Sequence, residues 1–143
     1  MKILISQRVA ANVILILLSI VIIFHILVLL GIFPYSIVLG GRIQDKWHAY
    51  SLETIAILIS CVQMILVSIH AGYLKFAISP VILNIAFWAM IALFLINTFG
   101  NLLSGNRVEK IIFAPITMVL AYLYFILAIN KKDKPIVQSK FDK

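Results

Sequence analysis

The chain has 143 residues, of which 64% are hydrophobic and 12% charged, and it carries a formal net charge of +7. A soluble domain is about half apolar and about a quarter charged, so these proportions exclude a water-soluble fold. They leave room for about five transmembrane helices at most, at about 20 residues each.

Lys2 and Arg8 precede the first apolar run, residues 11–33. It is longer than the hydrophobic stretch of a signal peptide and no small-x-small cleavage site closes it, so it reads as a retained anchor. Gly31 and Pro34 end it. His25 falls about 12 Å short of its far end at 1.5 Å per residue. The connection that follows, Pro34 to Ser51, is half apolar and holds Tyr35, Trp47 and Tyr50 around Gly40-Gly41-Arg42. Trp and Tyr favour the headgroup zone. This loop is expected to lie in the interface or fold over the bundle mouth, with the glycine pair as hinge and Arg42 as anion contact.

The second run spans 52–74 and starts, in N-cap style, at Ser51 with Glu53 following. Glu53, Ala56, Ser60, Gln63, Val67 and His70 recur at steps of three and four, which places them on one helical seam. Cys61 lies inside this run and reads as a small apolar packing residue. Gly72 to Pro80 forms a hairpin into the third run, 79–100, with Pro80 at a helix start, where its missing N–H costs little. Ala86, Met90, Leu93 and Asn97, extended to Asn101, make the expected seam here, and Gly100 and Gly105 are expected to break the helix. The fourth run, 111–130, carries Ala114, Thr117, Ala121, Tyr124 and Ala128, a seam of mostly small residues that allows close helix approach. Pro115 is expected to bend it slightly.

These runs are too long for strands and lack strict alternation, so the expected fold is all-α, an integral membrane four-helix transmembrane bundle. Residues 1–130 form a single transmembrane domain and 131–143 a basic cytoplasmic tail. Lys2, Arg8, Lys75, Lys131, Lys132, Lys134, Lys140 and Lys143 fall on one side, against Arg42, Lys46, Arg107 and Lys110 on the other. The positive-inside rule then predicts an N-in/C-in topology in a cytoplasmic membrane of bacterial type. No internal repeat of transporter type is visible.

In that topology His25, Arg42, Glu53, Asn97, Asn101 and Glu109 gather in the outer half of the bundle. A site of carboxylates, Arg42, His25 and amides suits a polar or zwitterionic head group, with the apolar bundle holding its tail. The competing reading makes Glu53–Arg42 and Glu109–Arg107 exposed ion pairs that only fix helix ends, worth about 0–1 kcal/mol each. No cofactor is expected. His25 and His70 lie some 12 Å apart along the normal, too far for a bis-histidine haem, and no zinc-ligand spacing appears. The basic residues stand at the ends of apolar runs and form no aromatic-interleaved stripe, so nucleic acid is not an expected partner. Three function classes remain: binding or moving a lipid-like or amphiphilic small molecule; serving as a non-catalytic accessory or immunity-type subunit, as a homo-oligomer or on a membrane-protein partner; and membrane-embedded catalysis by His25 with Glu53 as an acid–base pair. Membrane lipids are expected partners in all three.

Overall fold

A computed structural model of the chain describes residues 5–34 and 45–129. The described residues form four helices, α1 (Gln7–Leu29), α2 (Lys46–His70), α3 (Pro80–Leu103) and α4 (Ala114–Ile129), and each is long and apolar enough to cross a bilayer, the last together with the π-helical turn that opens it, Glu109–Phe113. No strand occurs among the described residues. The expected tail, 131–143, and the stretch containing Gly40, Gly41 and Arg42 lie outside them.

Local chemistry sets the helix ends. Ser6 caps α1, its hydroxyl accepting the Val9 N–H. The helix closes four residues before the apolar run does, because Gly31 takes φ +73°. Its N–H then reaches the Val28 carbonyl, while the Ile32 N–H reaches that of Leu27, the paired bonds of a Schellman motif. Gly72, at φ +78°, ends α2 the same way. The start of α2 corrects the sequence reading. Asp45 is the cap, its carboxylate accepting the Trp47 and His48 N–H groups, so Ser51 and Glu53 lie well inside the helix. Gly100 does not break α3, which runs on to Leu103. The break comes at Ser104 to Asn106, where the Ser104 hydroxyl accepts the Asn106 N–H and the Asn106 side chain accepts that of Val108.

The π-helical turn precedes Pro115 directly. Proline in a helix lacks an N–H and its ring crowds the carbonyl four residues back. Widening the preceding turn, with the Ala114 N–H bonded to the Glu109 carbonyl, relieves that crowding.

Packing follows an up-down-up-down path. α1 packs closely on both α2 and α4, and α4 packs closely on α3. Polar atoms face inward and large apolar side chains outward, among them Ile16, Leu58, Ile96 and Ile111. An apolar exterior of this extent is the surface of an integral membrane protein, because water would drive it to aggregate. The α2 seam is buried or half-buried along its whole length, and so is that of α4. The α3 seam is corrected by one residue. Its buried stripe is Leu83, Phe87, Ile91, Phe94 and Thr98, with Asn97 exposed.

The small residues are used within the chain. Ala10 and Ala11 of α1 and Ala121 and Ala128 of α4 are buried in one cluster with Ile14, Leu18 and Tyr124. Lipid tails are as apolar as leucine, so such close approach, with interhelical hydrogen bonds, is what holds helices together. Ala121→Leu should therefore destabilise the isolated chain by about 1–3 kcal/mol through overpacking, as read by SDS-titrated unfolding. Gly31→Ala should lose about 1–2 kcal/mol to left-handed backbone strain. Gly100→Ala, which meets nothing within 4 Å, should gain about 0.5–1 kcal/mol.

Candidate functional site

Glu53 sits one buried position along the α2 seam, seven residues after Lys46, about 10 Å into the helix at 1.5 Å per residue. Only 3% of its surface is exposed. A buried carboxylate needs a partner, and α1 supplies one: His25 Nδ1 lies 2.5 Å from Glu53 Oε2. His25 follows Leu18 and Val21 at steps of three and four on the inward face of α1, which brings the imidazole to α2. Glu53 is thus buried against a half-buried histidine, and its expected partner Arg42 lies outside the described residues.

This contact forms part of the wall of a cavity of about 340 Å³ lined by all four helices. The candidate residues His25 of α1, Glu53 of α2, Asn97 and Asn101 of α3 and Glu109 of the π-helical turn all line it. Arg42 lies outside the described residues. Glu109 is 4% exposed, held by the π-helical turn at the end of the bundle where the α1–α2 and α3–α4 connections lie. It is no exposed helix-end charge. The side-chain amides of Asn97 and Asn101 make no hydrogen bond among the described residues.

Deeper in, the lining turns mostly apolar: Leu18, Leu93, Phe94, Ile116 and Leu120. Its floor is fixed by polar contacts between helices. The Tyr124 hydroxyl donates to Gln63 Oε1 at 2.9 Å, tying α4 to α2. Thr98 and Thr117 share a 2.8 Å hydrogen bond between α3 and α4, in which one hydroxyl donates to the other and the acceptor donates to its own helix's backbone. From Glu53 to Gln63 the cavity wall runs ten residues, about 15 Å of α2. Phe24 packs against Phe113 at the connection end, with ring centroids 4.8 Å apart.

His70 lies apart from this site. Its ring meets the Phe87 edge at 5.1 Å, near the α2–α3 connection. At the same end the Tyr73 hydroxyl donates to Asn12 Oδ1 at 2.6 Å. Among the described residues no cluster of three or more His, Cys, Asp or Glu side chains is placed to hold a metal. Cys61 is exposed on α2 instead of packed inside.

Sequence reading found the acidic and amide residues but missed Thr98–Thr117 as a bond between helices, and Phe24 and Phe113 altogether. Aromatic residues in an apolar run carry no periodic signal of their own. Comparison of the chain with family models, curated proteins and solved structures finds no match.

Removing the imidazole leaves Glu53 buried without that partner. His25→Ala should therefore cost about 1–3 kcal/mol of stability. The double variant His25→Ala/Glu53→Leu should lose less than the sum of the single changes, as measured in a double-mutant cycle of SDS unfolding. Additive losses would mean that the two side chains are not coupled.

Proposed function

We propose that this integral membrane protein binds, and moves or presents, a lipid-like or amphiphilic small molecule in the four-helix cavity. One observation carries the reading: a single cavity is polar at one end, with His25, Glu53, Asn97, Asn101 and Glu109, and mostly apolar below. Ligand cavities bury most of their guest against apolar side chains, with a few placed polar groups to orient it. An amphiphile matches that gradient, its head at the carboxylates and amides and its tail between Leu93 and Leu120.

The distribution of Lys and Arg supports an orientation with both termini cytoplasmic, so that the polar end of the cavity faces the extracytoplasmic side of a bacterial-type cytoplasmic membrane. Alkaline phosphatase fused after Gly105 should then be active, and the same reporter fused after Lys143 inactive. The reverse pattern would turn the cavity toward the cytoplasm.

Native mass spectrometry of the protein released from its own membrane tests the binding reading. A discrete added mass should accompany the chain and disappear in Glu53→Gln, with expression retained. A bare chain in stoichiometric complex with another protein would favour the accessory-subunit reading instead. The His25–Glu53 contact also supports a second reading, general acid–base chemistry at the cavity wall. In that case His25→Ala should keep the bound mass but lose its conversion.

A further inference from the structure

The four helices do not close evenly around the cavity. α2 packs closely on α1, α1 on α4 and α4 on α3, but α2 and α3 have no comparable interface. They meet at His70 and Phe87, near their connection. Toward the other end the cavity lies between them, lined by Ile55 and Ile59 on α2 and by Asn97 on α3. Those residues are cavity wall and outer surface at once: Ile55 is 50% exposed and Ile59 38%, and Asn97 is also exposed. A wall that is open to the outside at mid-helix opens onto lipid tails, since the neighbouring outward residues Leu58 and Val62 are apolar and exposed. The cavity therefore has a lateral slot between α2 and α3.

The lining also has a sign. It contains Glu53 and Glu109 and no Lys or Arg among the described residues. In a low-dielectric site an anionic head group would meet carboxylate repulsion, and a cationic one would gain a charge-assisted hydrogen bond. His25 takes Glu53 Oε2, and Glu53 Oε1, which has no hydrogen bond among the described residues, can accept from an ammonium whatever Glu109 contacts. The asparagine amides can accept from the remaining N–H groups of an ammonium through their carbonyl oxygens. The volume, about 340 Å³, stands at the small end of the usual range of about 300–1,000 Å³ for ligand cavities, which suits one chain and a small head.

Resting on the binding reading above, we infer that the cavity takes the amine head of a single-chain amphiphile, which enters sideways from the bilayer through the α2–α3 slot. The head lies against Glu53, Asn97 and Asn101, and the chain runs down the slot past Ile59.

The test uses the full chain in phosphatidylcholine nanodiscs, offered dodecylamine, dodecanol or dodecanoate, with retention read by native mass spectrometry. Dodecylamine should be held at least about tenfold more tightly than either other probe, the scale of one hydrogen bond to a charged group. Glu53→Gln should remove that preference. Ile59→Trp, which fills the slot, should abolish retention, while Ile65→Trp, on the exposed face of the same helix, should leave it intact. If Ile59→Trp does not fold, Ile55→Trp carries the same test. Equal retention of dodecanoate and dodecylamine would overturn the head-group assignment, and normal retention in the slot-filled variant would overturn lateral entry. No retention of any probe by the wild-type chain would overturn this inference, while the binding reading itself stands or falls on the mass carried from the native membrane.

Discussion

A carboxylate buried in a bundle whose outside is apolar has to find its partner within the protein, and the contact between Glu53 and His25 meets that need. In hydrocarbon an unpartnered ionised group is costly, so the rotation of α1 against α2 is constrained by the requirement that these side chains meet. Once that rotation is set, Leu18 and Val21 of α1 line the cavity together with Ala56 and Ser60 of α2. The Gln63–Tyr124 bond then positions α4, and Thr98–Thr117 positions α3 on α4. The polar contacts thus connect all four helices, where apolar packing alone would distinguish poorly between neighbouring rotations.

Much of this was legible in the sequence because a bilayer makes polar residues informative. Glu53, Ser60, Gln63 and His70 stand out against an apolar background, and their spacing gives the inward face of α2 directly. The same signal was weak in α3, where the buried stripe is nearly all apolar and only Thr98 marks it. The asparagines drew the expected seam one residue aside, toward the cavity edge where they do lie. In α1 the few polar residues of the apolar run, Asn12, Ser19 and His25, gave no seam, and His25 was the marker of its inward face. Helix boundaries depended on individual backbone conformations. Gly31 and Gly72 adopt positive φ and stop their helices, whereas Gly100 stays helical, and composition does not tell these apart. The cap at Asp45 was missed because Ser51 also matches an N-cap pattern.

The π-helical turn is a local irregularity at the edge of the site. Pro115 requires relief of its ring against the preceding turn, and the relief takes the form of a wider turn that begins at Glu109. The extra residue changes the angular position of everything before it relative to α4. Glu109 faces the cavity together with Phe113, Ile116 and Thr117, residues at i, i+4, i+7 and i+8 that share one helix face.

The uneven closure of the ring also bears on how the chain is made. His25–Glu53 joins α1 to α2, and Thr98–Thr117 joins α3 to α4, so these four polar groups have their partners in the adjacent span. A chain leaving the ribosome can therefore enter the membrane as two successive hairpins, each with these groups already matched. Glu53 never has to wait in lipid for the second half to be synthesised. What remains for the assembled hairpins is the meeting of α1 with α4 and the Gln63–Tyr124 bond. The short link from Gly72 to Ser79 thus connects two nearly self-sufficient units, and two separately synthesised halves divided there would each carry into the bilayer the partner its buried carboxylate or threonine needs.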